Sequence, residues 1–294
     1  MFVVITIPAY NEHDTIGNVI KSIDDAMKSG KYGYKVLVVD DGSKDKTAEA
    51  ARDQGAVVYS HPKNYGLAET FKTEIKKALG LKADVIVHID ADMQYRPKEI
   101  PILLKEIETG YDLVLGSRFK GTIESMPIIK KFGNKAFSRV ISNITKIKIS
   151  DAQTGFRAFT KEVAEKITII SDHTYTQEQI IRAAKEKFRI KEVPVYFAKR
   201  KDKSRLISSP LGYASRAWIN IIRIYRDYRP LKFFGMIGSA IFTVGFILGL
   251  YLVCIQLFAE GVNRHLGLMM LDILILSIGL QIIIFAFLAD MMKK

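Results

Sequence analysis

Three features of this chain predict a mostly parallel α/β domain followed by a membrane-spanning hairpin. Residues 1 to about 120 alternate short β-branched runs with helical patterns. Such alternation argues for a parallel sheet with helices on both faces. Polar clusters follow three of the apolar runs directly, at the sheet edge where α/β folds bind ligands. The last quarter of the chain holds two long stretches almost free of charge.

The strands expected from these runs are residues 2–8, 35–40, 57–61, 85–90 and 113–117. The helical stretches between them are 15–29, 45–54, 67–79 and 97–109. Residues 233–258 carry no charge, and 266–289 carry only Asp272. Each exceeds the roughly 20 apolar residues that a bilayer crossing needs. The 259–265 link permits only a tight hairpin, so both ends lie on one side. Arg223, Arg226, Arg229 and Lys232 precede the first span, and Lys293 and Lys294 follow the second. The positive-inside rule makes that side cytoplasmic. No signal-peptide pattern opens the chain, since residues 2–7 are apolar but too few. The expected protein is therefore a two-span protein of the cell membrane with a cytosolic domain and both termini in the cytoplasm.

Residues 213–227 place Trp218, Ile221, Ile222 and Tyr225 at helical spacing, with Arg216, Arg223 and Arg226 elsewhere. This reads as a helix lying in the lipid interface. The expected division is 1–210 soluble domain, 211–232 interfacial helix and 233–294 hairpin. Gly245 and Gly249 offer a small-residue packing face in the first span. The sequence does not fix the oligomeric state, and a homo-oligomer stays open.

Composition excludes other classes. A single cysteine, Cys254, rules out disulfide scaffolds and cysteine-built zinc sites. The net charge of +13 resides entirely before residue 233, and residues 196–232 alone hold ten basic against two acidic groups. A basic stretch beside a span fits membrane lipid phosphates better than nucleic acid, for which no recognition motif occurs. The dinucleotide and P-loop glycine motifs are both absent.

The sharpest cluster is Asp90-Ala91-Asp92-Met93-Gln94, directly after an apolar run. Residues two apart at the end of an extended segment point the same way. Two carboxylates and an amide oxygen then converge on a hard cation, Mg²⁺ or Mn²⁺, which would hold a diphosphate. The five histidines, His13, His61, His88, His173 and His265, show no ligand spacing and are read as structural.

With these residues in view, nearly the whole chain resembles family 2 glycosyltransferases of the GT-A fold, in particular the polyprenyl-phosphate (dolichyl-phosphate) sugar synthases. Pro8-Ala9-Tyr10-Asn11-Glu12 and Val39-Asp40-Asp41-Gly42-Ser43 look like the family's two nucleotide-binding turns. The resemblance implies that Pro8, Tyr10, Glu12, Asp40, Asp41 and Gly66 bind the donor, with Asp90 and Ala91 beside them. It makes Asp90, Asp92 and Gln94 the metal set, and Asp92, Arg118 and Asp151 the catalytic residues. Gly116-Ser117-Arg118 matches the segment whose arginine meets the acceptor phosphate, and Lys131 and Asn134 are the expected further acceptor groups. Asp151-x-x-Thr154-Gly155-Phe156-Arg157 is similar to the sugar-site element, implying roles for Asp151 and Gln153. Glu178 sits where the family has a substrate-site glutamate. Residues 200–206 resemble the basic loop over the donor diphosphate, which implies Arg200, Lys203 and Arg205. Many members carry S-K-L where this chain has Ser204-Arg205-Leu206.

The chemistry is consistent with that resemblance. A lipid phosphate has a second pKa of about 6, so it is already a dianionic nucleophile at neutral pH. It needs cations to position it more than a base to activate it. Direct attack on a nucleotide-sugar donor inverts the anomeric centre. Asp151 orients the sugar or assists as a base, orientation ranking first. GDP-mannose, UDP-glucose and UDP-N-acetylhexosamine remain open as donors. A processive polysaccharide synthase would carry Q-x-x-R-W, but the only tryptophan, Trp218, lacks that context. A non-enzymatic membrane adaptor would have no use for all three strand-end clusters.

Overall fold

The computed structural model describes residues 1–28, 32–171, 175–199, 219, 222–258 and 265–292. Two compact units emerge, Met1–Ala214 and Ser215–Lys294. The first is built on a seven-stranded sheet of order β3-β2-β1-β4-β6-β5-β7.

β1 (Phe2–Ala9), β2 (Gly33–Asp40), β3 (Val57–Ser60) and β4 (Val85–His88) run parallel. Between them come α1 (His13–Met27), α2 (Thr47–Asp53) and α3 (Leu67–Gly80). Val3, Val4, Ile5 and Ile7 are all buried, as expected of a central strand covered on both faces. The chain leaves β1 towards β2 on one side and later returns to β4 on the other. Its switch point, the crevice where such sheets take ligands, therefore lies between β1 and β4.

The other half departs from simple alternation. A 3₁₀ turn (Pro97–Glu99) leads into α4 (Ile100–Glu108), and β5 (Leu113–Ile123) extends beyond the expected run. After α5 (Ile128–Thr145), β6 (Arg157–Thr160) enters antiparallel between β4 and β5. No apolar run announces β6, because only Ala158 and Phe159 of its four residues are apolar. Its direction matters: His88 at the end of β4 pairs with Arg157 at the start of β6. The segment leading into β6 thus opens at the same edge where the parallel strands end. α6 (Lys161–Lys166), α7 (Thr176–Lys185) and β7 (Ile190–Phe197) complete the unit.

The second unit contains α8 (Pro230–Phe258) and α9 (Leu266–Met291), both long and apolar enough to cross a membrane. At 1.5 Å rise per residue they exceed the roughly 30 Å of a hydrocarbon core. They pack closely because glycines face the crossing. A Cβ on Gly279 would lie 2.6 Å from the Phe242 backbone nitrogen, and one on Gly245 would meet Leu276 at 2.9 Å. Gly249 faces Asp272, so the small-residue face of the first span is used against the second. Residues 222–228 are helical, whereas Arg216, Trp218 and Ile221 of the expected interfacial helix lie outside the described residues.

Candidate active site

A cavity of about 460 Å³ sits at the carboxyl ends of β1, β2 and β4. Pro8, Tyr10, Glu12, Asp41, Gly66, Asp90, Ala91 and Asp92 line it together with Ala9, Asn64, Leu67 and Thr70. Eight of the residues expected at the donor and metal positions are thus brought together from four segments of chain.

One end of the cavity is anchored by Asp41. Its Oδ1 accepts from the Tyr65 backbone N–H (2.9 Å) and from His61 Nδ1 (2.8 Å), and Oδ2 accepts from the Gly66 N–H (2.8 Å). Gly66 has φ +91°, a left-handed value that glycine adopts without strain. His61 in turn meets the Thr73 hydroxyl at 3.0 Å. The first turn is stitched to the second: Glu12 N–H donates to Thr47 Oγ1 (2.8 Å) and Asn11 N–H to Ser43 Oγ (2.9 Å). Asp40 lies beneath that turn, accepting from the Ser43 N–H at 3.1 Å. It is buried and absent from the cavity wall, so its visible duty is to shape the turn rather than face a donor.

The other end carries Asp90 and Asp92. Asp92 Oδ1 accepts from the Gln94 N–H at 3.1 Å, closing the turn around Met93, which has φ +59°. Asp90 presses on Gly155, where a Cβ would fall 2.6 Å from Oδ2. A side chain at 155 would push the Asp90 carboxylate from its place. Gln94 is off the wall, its Nε2 donating to the Ala198 carbonyl (3.2 Å). Among the described residues no group of three or more Asp, Glu, His or Cys side chains could hold a metal. The chain offers two carboxylates, which is the Mg²⁺-like pattern in which waters and substrate phosphates complete the shell.

Arg118 and Asp151 form a buried bidentate pair beside this end. Arg118 Nε and Nη2 both donate at 2.7 Å, and the Arg118 backbone N–H adds a third bond at 3.0 Å. Asp151 is 0% exposed and Arg118 5%. Burial alone would lower the guanidinium's pKa, but the paired Asp151 carboxylate raises it, so it stays cationic. Burial also pushes the Tyr95 hydroxyl up to about 12, keeping it a neutral partner for Thr154 Oγ1 at 3.2 Å. With its amide oriented to satisfy both atoms, buried Asn134 accepts from Arg118 Nη2 (3.3 Å) and donates to Gln153. Arg118, Asn134, Asp151 and Gln153 thus form one cluster. The five residues from Asp151 to Gly155 link it to Asp90.

Other expected residues are placed elsewhere. Lys131 is exposed on the first turn of α5, one turn before Asn134. Glu178 accepts from the Ile170 and Ser171 N–H groups and from Arg182 Nε (2.7 Å), so the structure commits it to holding its own segment. Arg200, Lys203 and Arg205 lie outside the described residues.

Two residues set aside in the sequence stand behind the site aspartates. His61 holds Asp41, and His88 lies 3.9 Å from Asp90 Oδ1. His88 is fully buried between Glu74 (2.6 Å) and the Tyr175 hydroxyl (2.7 Å). The signal was positional: each follows or ends an apolar strand at the ligand-binding edge.

The sheet order and the two-ended cavity define a GT-A-like glycosyltransferase fold. The Glycosyl transferase family 2 profile matches residues 4–168, and the chain belongs to that family. A dolichyl-phosphate hexose transferase of Haloferax volcanii is 32% identical over 75% of this chain and 92% of its own. A UDP-N-acetylglucosamine–dolichyl-phosphate N-acetylglucosaminyltransferase of Methanococcus voltae is 31% identical over 64% and 82%. Among solved structures, glucosyl-3-phosphoglycerate synthase of Mycobacterium tuberculosis with Mn²⁺, UDP and phosphoglyceric acid superposes with a TM-score of 0.59. That match has 21% identity and covers 76% of this chain and 78% of the other, a likeness of fold.

Proposed function

We propose that this glycosyltransferase moves a hexose from a nucleoside-diphosphate sugar to a polyprenyl phosphate, with inversion, at the cytosolic face of a membrane crossed by α8 and α9. The observation that carries the reading is the cavity. One end offers Asp41 and the Gly66 turn to a nucleoside, the other offers two carboxylates, and the Arg118 cluster adjoins through Gly155. Relatives named for dolichyl phosphate support the acceptor class. So does the surface of α5, where Ile128 (72%) and Phe132 (70%) stand exposed within two turns of Asn134. Exposed apolar residues near a cluster that contains an arginine suit a lipid whose headgroup is a phosphate.

Asp90 and Asp92 fit a divalent cation, Mg²⁺ or Mn²⁺, on donor chemistry and on the room that Gly155 leaves. When bound, such an ion supplies neutralisation of the leaving diphosphate. Asp41 and the Gly66 turn orient the nucleoside, and Arg118 receives the acceptor phosphate. Asp151 keeps Arg118 in place. Both its oxygens accept from that guanidinium, so we assign it positioning rather than proton abstraction from the acceptor. The phosphate's second pKa of about 6 removes the need for a base.

The test is a transfer assay on the full-length protein with prenyl phosphate and a panel of GDP- and UDP-sugars. Formation of a lipid-phosphate-linked sugar from one donor is expected. Polymer or free hexose with no lipid-linked product would replace this reading.

A further inference from the structure

We infer that Lys120 joins Arg118 in gripping the acceptor's phosphate, with Glu192 as its resting place; this rests on the acceptor reading above. Arg118 is poorly placed to do it alone. Two of its guanidinium nitrogens are on Asp151, it is 5% exposed, and its charge is balanced by its partner. A dianionic phosphate arriving at this neutral pair needs a further cation that can move.

Lys120 has the required freedom. β5 pairs regularly with β7 up to Ser117↔Pro194 and resumes at Thr122↔Tyr196, spending five residues where β7 spends two. Such a bulge re-aims side chains beside a site. Lys120 sits in it, its side chain 47% exposed and its Nζ 3.1 Å from Glu192 Oε2. Glu192 does not depend on the lysine: it also accepts from the Ser150 N–H, the Asp151 N–H and the Ser150 hydroxyl, each at 2.8 Å. Those bonds fix the backbone that carries Asp151, so Lys120 rests one residue's contact from the Arg118 pair. A partly exposed ion pair is held weakly. A lysine is a compact charge on a flexible stem, suited to leave one anion for another.

The test uses full-length protein with a short-chain prenyl phosphate and the best donor from the panel. Lys120→Ala should raise the acceptor KM by about ten- to a hundredfold, the loss expected for a charge-assisted contact. Donor KM and thermal midpoint should be unchanged, and Lys120→Arg should recover most of the acceptor KM. An unchanged acceptor KM in Lys120→Ala, with wild type active, overturns the role of Lys120 and leaves the acceptor reading intact. A lowered thermal midpoint with no rescue by Lys120→Arg makes the lysine a structural support for Glu192 and also overturns it. A wild type that glycosylates no prenyl phosphate overturns both.

Discussion

The two ends of the site are held by opposite means. At the donor end, Asp41 is fixed by two backbone N–H groups and a histidine. Asp90 and Asp92 stand on the cavity wall. At the acceptor end, charges are paired with one another: Arg118 with Asp151, and Lys120 with Glu192. In the proposed reading, the donor end is a preformed receptor for a ligand that brings phosphates, and the acceptor end is closed on itself until an anion competes for its cations.

Breaking the donor end at its carboxylates should have the largest effect. Asp92→Asn is expected to lower transfer roughly a thousandfold, the several kcal/mol that metal assistance supplies. The fold should persist, because Asp92 is only half-buried. Titration of Mn²⁺ and donor, with thermal melting as control, checks both; full activity of the variant in excess EDTA would sink the metal assignment.

The acceptor end should respond in stability as well as activity. Arg118→Ala leaves buried Asp151 unpaired, a change that costs about 3–5 kcal/mol of stability. Transfer to prenyl phosphate should fall about ten- to a hundredfold, with donor affinity nearly unchanged. Calorimetric melting and isothermal titration separate the two effects. Collapse of donor affinity instead would move Arg118 to the donor end.

Gly155→Ala probes the segment that joins the ends. The added methyl must displace Asp90 or the 151–155 backbone, an overpacking cost of about 1–3 kcal/mol. Metal-dependent donor binding should weaken by about tenfold. Metal affinity equal to wild type would mean that Asp90 does not need this cradle.

The smallest effect should come from His61→Ala. Asp41 keeps its two backbone donors and loses one bond of about 1 kcal/mol, so donor Kd should rise severalfold. Acceptor KM should not move. A rise in acceptor KM would erase the distinction between the two ends.

Much of the donor end was legible because it is local. Pro8–Glu12, Asp40–Ser43 and Asp90–Gln94 each follow an apolar run, and a parallel sheet brings successive strand ends to one edge. The acceptor end was legible only as isolated residues. Arg118 was expected to face a phosphate, yet nothing near it in the chain shows that Asp151, 33 residues on, would take its guanidinium. His61 and His88 read as structural in the sequence, and their partners stay hidden there because Asp41 and Glu74 are 20 and 14 residues away.

The amino-acid order by itself determined the alternating strands and helices, the pair of apolar helices and the aspartates at the strand ends. Those depend on periodicity, and on polar residues that directly follow an apolar run. Only the tertiary structure decided which charges meet. A four-residue antiparallel β6 turns the 151–155 segment towards Asp90 and Arg118 at once. The bulge in β5 carries Lys120 to Glu192. Such encounters depend on strand order and register across the whole sheet, which no local stretch of sequence encodes.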